Sequence, residues 1–182
     1  MNAHAALRHA RADARDVADL VTRLCADYGE RALTSRAIRD QHSHGEGLAD
    51  AGLPDVVVFP HTNDEVAAIV RLCHAARVPV IAFGVGTSLE GHVAALYGGV
   101  SVDLSQMNRV LEVNAEDLDC RVQAGVLREQ LNAELKGTGL FFPIDPGNPN
   151  TALAPEAEAI AQFMEAGGGF FATGDHAHLG SR

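Results

Sequence analysis

The length of 182 residues suits one domain, or one domain and a fraction, and the 47% hydrophobic and 21% charged residues are typical of a globular protein rather than a disordered one. A formal net charge of -10 argues against nucleic acid or an anionic membrane as a general partner, because both are bound chiefly through clustered Lys and Arg. No stretch approaches the roughly 18 consecutive apolar residues of a membrane span. The first residues also have no apolar signal-peptide core. We therefore expect a soluble, cytoplasmic protein without a membrane span.

The first predicted element is an amphipathic helix over residues 13–28, in which apolar side chains recur at three- and four-residue spacing. Residues 34–53 are polar and contain glycines, which favours a surface loop. The run 55–60 is short and almost continuously apolar, as expected of a strand that is buried on both faces.

A β-α-β unit is predicted over residues 55–83. Thr62 can cap the first free amides of a helix, and Glu65, three residues later, can reach back in a capping box. The helix then covers residues 63–76, and residues 78–83 form a second buried strand. A right-handed crossover makes the two strands parallel neighbours or near neighbours.

Further strands and a helix are predicted in the second half of the chain. Residues 99–104 alternate like a half-buried strand, and residues 110–113 and 118–122 are two strands joined by a hairpin connection. Leucines at four-residue spacing then mark a helix that ends at Gly137 and Gly139.

A glycine-rich turn follows the second buried strand, with the sequence Phe83-Gly84-Val85-Gly86-Thr87-Ser88-Leu89-Glu90-Gly91. Glycines allow positive φ and a close approach of the main chain to a ligand. Successive amides, helped by the Thr and Ser hydroxyls, form a nest for an anion such as pyrophosphate without any Lys or Arg. A nicotinamide fingerprint would need glycine at position 89, and no Walker A lysine is present. On these residues alone, a tight structural connection is an equal alternative.

The turn belongs to an ordered series of motifs that resembles the FAD-binding domain of the vanillyl-alcohol-oxidase (PCMH-type) superfamily. The resemblance is strongest to the branch with cytochrome-linked D-lactate dehydrogenase and the flavin subunit of glycolate oxidase. It covers about residues 13–147 and rests on these segments: Pro54-Asp55-Val56-Val57-Val58-Phe59-Pro60, the turn with Pro79 before it, Ser101-Val102-Asp103-Leu104, Val122-Gln123-Ala124-Gly125-Val126 and Phe141-Phe142-Pro143-Ile144-Asp145-Pro146-Gly147.

The resemblance implies an α+β, PCMH-type FAD-binding fold, with a small parallel β-α-β lobe, the start of a second α+β lobe, and FAD in the crevice between them. It implies noncovalent FAD, although some relatives attach FAD through a histidine and His92 follows the turn. It also implies a small 2-hydroxy acid of the D-lactate or glycolate type as the substrate of full-length relatives. The residues that the resemblance assigns to the cofactor are Gly84, Val85, Gly86, Thr87, Ser88 and Gly91 at the pyrophosphate, Pro79 at the start of the strand, and Pro146 and Gly147 near the flavin.

The predicted domains are residues 1–53 as an N-terminal helix and loop, 54–147 as a partial FAD-binding domain, and 148–182 as an unrelated tail. After Gly147 the family's glycine- and alanine-rich segment, which completes the FAD site, is not recognisable, and neither is a substrate domain. The tail contains one predicted helix, 155–166, and one predicted strand, 169–172. We therefore expect a truncated chain that is inactive alone; the alternatives are a non-catalytic remnant, or an interaction module whose partner chain completes the fold.

No catalytic residue and no metal ligand is assigned. The segments His42-Ser43-His44 and Asp175-His176-Ala177-His178 are the two histidine clusters, and neither has a third and fourth ligand at suitable spacing. We interpret these histidines as solvated loop residues. Cys73 lies on the apolar face of its helix and is predicted to be a buried, reduced thiol.

Overall fold

The structure is a computed structural model that describes residues 12–43, 52–87 and 91–142, together with the main chain of 169–170. The chain divides into two compact units, residues 1–107 and residues 108–182. Among the described residues, no helix has both the length and the apolar character needed to cross a membrane.

A four-stranded sheet forms the centre of the first unit. Its strands are β1 (Ala32–Leu33), β2 (Val56–Val58), β3 (Val80–Phe83) and β4 (Val100–Asp103), in the order β1-β2-β4-β3. Strand β4 is parallel to both of its neighbours, and β1 pairs with β2 in the antiparallel direction. The predicted parallel β-α-β unit is confirmed, and β4 lies between its two strands.

The described residues of this unit contain three α-helices: α1 (Ala14–Tyr28), α2 (Arg36–Gln41) and α3 (Asn63–Ala76). The predictions of α1 and α3 are confirmed. The predicted surface loop is wrong over residues 36–41, which form α2. This short helix has no apolar periodicity of its own, and a tertiary contact ties it to the sheet, since Arg39 Nε donates to the carbonyl oxygen of Pro54 at 2.5 Å.

The hydrophobic core lies where α1 and α3 pack against the sheet. Cys73 is fully buried in it, as predicted, and this burial raises the pKa of its thiol to about 11. The fully or largely buried side chains of this cluster include Val17, Leu20, Leu24, Val56, Val58, Ile69, Val100 and Val102.

Strand β4 differs from its prediction, because all four of its residues are buried rather than alternate ones. It lies between two parallel strands, and central strands of parallel sheets are covered on both faces. The polar residues Ser101 and Asp103, which produced the alternating pattern, are both buried.

Helix α3 begins with half of the predicted capping box. Thr62 Oγ1 accepts a hydrogen bond from the Glu65 amide at 3.2 Å, as predicted. The Glu65 carboxylate instead accepts from the His61 amide at 2.6 Å and from both terminal nitrogens of Arg31 at 2.8 Å. The hydrogen bonds from Arg31, despite partial burial, lower the pKa of Glu65 from 4.5 to about 2.

We expect Glu65→Gln to lower the free energy of unfolding by about 1 kcal/mol at pH 7, because the bidentate contact loses its charge. The folded-state pKa of Glu65 is lowered, so its contribution is present above the unfolded value of 4.5 and is lost as the pH falls towards about 2. Urea unfolding at pH 7 and pH 3 measures both effects. Asp27→Asn, which removes an exposed ion pair with Arg23, is the control and should change little. A loss of equal size at both pH values would contradict the assignment.

The second unit contains an antiparallel hairpin of β5 (Val110–Asn114) and β6 (Asp119–Val122), followed by helix α4 (Arg128–Leu135). The predicted hairpin and helix are confirmed. Strand β7 (Leu140–Phe141) pairs in parallel with β8 (Gly169–Phe170). The strand predicted in the tail is therefore confirmed over these two residues, whereas the helix predicted over 155–166 lies outside the described residues.

Candidate functional site

The glycine turn lies at the carboxyl end of β3, beside the carboxyl end of the parallel strand β4. In open sheets of parallel strands, ligands bind outside this end of the strands. Gly86 has φ +74°, and a Cβ atom added there would lie 3.1 Å from Cζ of Phe83. A side chain at this position would therefore be strained by the main chain and crowded by the ring.

The main-chain amides of the turn are the groups that an anion would contact. Within the part of the chain that the structure describes, the amides of Val85, Gly86 and Thr87 donate no hydrogen bond. The Val85 side chain is 62% exposed, so this part of the turn faces solvent. Consecutive amides of this kind are the groups that an anion nest would use, and the nest expected from the sequence stays a prediction.

The other residues expected at the cofactor occupy different places. Pro79 lies at the amino end of β3, where its carbonyl oxygen accepts from the Val100 amide at 2.9 Å, so the whole strand separates it from Gly84. Gly91 has φ +73°, and its carbonyl oxygen accepts from the Ala94 amide at 3.0 Å. Three of the expected cofactor residues lie outside the described residues: Ser88, Pro146 and Gly147.

A buried pair of side chains, His42 and Asp103, lies close to the turn. His42 Nε2 is 2.8 Å from Asp103 Oδ2, and His42 Nδ1 is 2.8 Å from the carbonyl oxygen of Ile38. Both ring nitrogens face oxygen acceptors, so both can donate only when the ring is an imidazolium. The carboxylate also accepts from the Ser105 amide through Oδ1 at 2.8 Å. With both side chains charged, all four of their polar atoms have a hydrogen-bond partner.

The pKa values of the two groups move apart. Burial alone would lower the pKa of His42, but its hydrogen bonds with Asp103 and Ile38 outweigh burial and raise it. Burial alone would raise the pKa of Asp103, but its hydrogen bonds with His42 and Ser105 lower it. Both groups are consequently charged over a shared range of pH.

Two aromatic rings enclose the imidazole. The ring centroids of His42 and Phe83 are 4.2 Å apart, with the planes tilted by 43°, and Phe59 approaches edge-on at 6.0 Å. The interpretation of His42 as a solvated loop histidine is thus wrong, since the residue is only 5% exposed. Helix α2 holds it against the sheet, and Asp103 supplies the opposite charge.

The sequence contains one signal that could have identified this pair. An acidic residue that ends a strand with buried neighbours needs a partner, because carboxylates are almost never fully buried alone. Asp103 is such a residue, but sequence spacing does not indicate which partner it takes. His44 and the histidines at 176 and 178 lie outside the described residues. Among the described residues, no three His, Cys, Asp or Glu side chains form a group that could hold a metal ion.

Sequence comparison shows which known proteins the chain is similar to. A protein-family model for an FAD binding domain matches residues 54–154. The chain is 49% identical over 118 residues to the probable D-lactate dehydrogenase, mitochondrial, of Danio rerio, covering 65% of this chain and 24% of that protein. It is 35% identical over 96 residues to glycolate oxidase subunit GlcD of Bacillus subtilis, covering 53% of this chain and 20% of that protein.

Solved structures show the same fold. A 4-ethylphenol oxidase from Gulosibacter chungangensis aligns with a TM-score of 0.63 at 26% identity, covering 74% of this chain and 27% of that chain. An alkyldihydroxyacetonephosphate synthase aligns with a TM-score of 0.60 at 27% identity, covering 67% of this chain and 27% of that chain. The chain spans about a quarter of the length of these relatives.

Proposed function

We propose, because the chain belongs to the family of FAD-binding domains and to its D-lactate dehydrogenase and glycolate oxidase branch, that the glycine turn binds the pyrophosphate of FAD. The observation that carries the proposal is the run of Val85, Gly86 and Thr87 amides that have no hydrogen-bond partner within the described residues. These amides donate to the phosphate oxygens, and the hydroxyls of Thr87 and Ser88 add to them. The absence of a side chain at Gly86 lets the main chain approach the phosphates closely.

The remaining expected residues have supporting roles in this proposal. Pro79 holds the start of β3 against β4 through its hydrogen bond with the Val100 amide, and so fixes the strand that carries the turn. Gly91 ends the turn at positive φ. For Pro146 and Gly147, which lie outside the described residues, the place near the flavin stays a prediction from the resemblance. The predicted domain limits at residues 53 and 147 and the cytoplasmic location stay predictions.

We infer that this FAD-binding domain serves the oxidation of a 2-hydroxy acid, for which FAD would supply the hydride acceptor. The names of the relatives support this substrate class, since they include D-lactate dehydrogenases, a glycolate oxidase subunit and D-2-hydroxyglutarate dehydrogenases. We expect the chain alone to bind FAD without turning over D-lactate or glycolate with an artificial electron acceptor. Turnover by the chain alone would contradict that expectation.

The test of FAD binding is a titration of the purified chain, followed by flavin fluorescence and by the thermal unfolding midpoint. We expect FAD to raise the midpoint, and Gly86→Val to weaken binding about tenfold or more, because its side chain strains the turn and meets Phe83. Val85→Ala is the matched control, since it keeps the main-chain amide and shortens a side chain at a position that is 62% exposed. ADP should compete with FAD, because both contain a pyrophosphate. Riboflavin should not compete, because it has none.

Two results would contradict this proposal. One is a colourless chain whose unfolding midpoint does not rise with FAD, which would support the non-catalytic remnant. The other is a folded Gly86→Val variant that binds FAD as tightly as the original chain. Circular dichroism shows whether the variant is folded.

The mode of attachment is proposed to be noncovalent, and it can be tested on the same sample. His92, the residue next to Gly91, is exposed. We expect acid precipitation of the FAD-loaded chain to leave all of the flavin in the supernatant. Flavin that stays with the pellet, and that is released by His92→Ala, would show a covalent bond instead.

A further inference from the structure

We propose that His42, Asp103 and Phe83 are positioning residues of the flavin site: the buried ion pair holds the Phe83 ring beneath the glycine turn, and the ring fixes the main chain at Gly86. The part of this inference that concerns FAD rests on the proposed function above. The mechanical part, that these side chains order the turn, does not depend on any ligand.

The contacts form a continuous path through the described residues. Asp103 Oδ2 lies 2.8 Å from His42 Nε2, and the His42 ring lies 4.2 Å from the Phe83 ring. The far end of the Phe83 ring, Cζ, lies 3.1 Å from the position that a Cβ of Gly86 would take. Three elements, β4, α2 and β3, thus meet below one residue of the turn.

The turn needs such support because its own amides do not hold it. The Val85, Gly86 and Thr87 amides make no hydrogen bond within the described residues, and the Val85 side chain points to solvent. A segment with few buried contacts opens easily. A ligand that has to order such a segment binds more weakly than one that meets a pre-organised segment. Packing of Gly86 on Phe83 is therefore the contact that can set the geometry of the nest before FAD arrives.

The hydrogen bonds of His42 fix the orientation of the imidazole ring against which Phe83 packs. The Ile38 carbonyl and the Asp103 carboxylate hold the two ring nitrogens from opposite sides, each at 2.8 Å, so the imidazole plane has one favourable setting. An apolar side chain of similar size could fill the same space but would not fix its rotation. Phe83 rests against this fixed ring, and Phe59 approaches the imidazole edge-on.

The test compares Phe83→Leu and His42→Gln with Ile69→Val. The first two remove the ring and the ion pair, respectively. The control removes one buried methylene from α3, in the core on the opposite face of the sheet, so it lowers stability without touching the turn. We expect the dissociation constant for FAD to rise about tenfold in both test variants and to stay within about twofold in the control.

A second measurement uses the chain without FAD. We expect ¹⁵N relaxation to give order parameters near about 0.85 for the Val85, Gly86 and Thr87 amides, falling below about 0.6 in both test variants and unchanged in Ile69→Val. If His42→Gln fails to fold, Phe83→Leu decides the result, because it changes no charge.

The outcomes separate the two proposals. If the original chain binds no FAD but the turn amides lose order in Phe83→Leu, the proposed function fails and the positioning role stands. If FAD binds and neither its affinity nor the order of the turn separates the test variants from Ile69→Val, the positioning role is overturned. A loss of order without a loss of FAD affinity would support the ordering of the turn by these side chains and overturn their contribution to FAD binding.

Discussion

Gly99→Ala is expected to lower the free energy of unfolding of the first unit by about 3 kcal/mol or more, since it combines a main-chain strain with a collision. Gly99 has φ +104°, a conformation that side chains other than glycine rarely adopt. A Cβ atom there would lie 2.4 Å from the carbonyl oxygen of Pro79 and 2.9 Å from its Cβ. Neither neighbour is the free end of a flexible side chain, so the main chain itself has to move.

The movement is costly because three hydrogen bonds meet at this point. The Pro79 carbonyl accepts from the Val100 amide at 2.9 Å, the Gly99 amide donates to Asp55 Oδ2 at 2.7 Å, and the Gly99 carbonyl accepts from the Asp55 amide at 2.7 Å. These bonds join the amino ends of β2, β3 and β4. A shift at Gly99 breaks or stretches them in a region that is mostly buried, where lost hydrogen bonds cost most.

Urea unfolding followed by circular dichroism measures the effect, with Gly29→Ala as the matched control. Gly29 also has a positive φ, +56°, but nothing lies within 4 Å of the added Cβ. The control should therefore lose only about 1 kcal/mol from main-chain strain. Equal losses in the two variants would mean that Pro79 yields to the new methyl group at little cost.

The sequence predicted best those helices and strands whose apolar pattern lies within a single element. Helices α1 and α3 have apolar residues at helical spacing, and β2 and β3 are short apolar runs, so each pattern lies within one element. The glycine turn is local too, because a run of glycines after a strand marks it. Tertiary contacts determine the elements that were predicted less well. Helix α2 has six residues and no apolar periodicity. The sequence of β4 has the alternating pattern of a half-buried strand, and only its place between two strands explains why all of it is buried.

Partners that are distant in sequence were missed for the same reason. Thr62 and Glu65 are three residues apart, and the half of the capping box that depends on Thr62 was predicted correctly. The Arg31 partner of Glu65 is 34 residues away, and the His42 partner of Asp103 is 61 residues away. A polar residue on a buried strand predicts that a hydrogen-bond or ion-pair partner is present, but the identity of that partner depends on the tertiary structure.

Asp103→Ala is expected to lower the free energy of unfolding by about 3–5 kcal/mol near pH 5, because it leaves a buried imidazolium without its counter-charge. It also removes the acceptor of the Ser105 amide. Ser101→Ala is the matched control on the same strand, since Ser101 is fully buried and its hydroxyl has no hydrogen-bond partner within the described residues. Loss of that hydroxyl should change stability by less than about 1 kcal/mol.

The size of the Asp103→Ala effect should depend on pH in a direction set by both pKa shifts. The pKa of His42 is raised from 6.5, so its contribution is fully present below that value and is lost as the pH rises through the folded-state pKa. The pKa of Asp103 is lowered from 3.8, so its contribution is present above that value and is lost as the pH falls through the folded-state pKa. The pair therefore stabilises the fold most between about pH 4 and pH 6.5.

Urea unfolding of the original chain, Asp103→Ala and Ser101→Ala across this range tests the assignment. Asp103 is the charged side chain that contacts the imidazole. Helix α2, which ends just before His42, carries three charged residues, Arg36, Arg39 and Asp40. Arg39 donates to the Pro54 carbonyl oxygen, and the main-chain carbonyl oxygen of Asp40 accepts from the Ser43 hydroxyl. The difference between the original chain and Asp103→Ala should be largest near pH 5 and should shrink as the pH rises through the raised folded-state pKa of His42. The difference for Ser101→Ala should stay constant. A constant difference for Asp103→Ala would mean that His42 is not charged in the fold, and that hydrogen bonding to a neutral ring is what holds it beside Phe83.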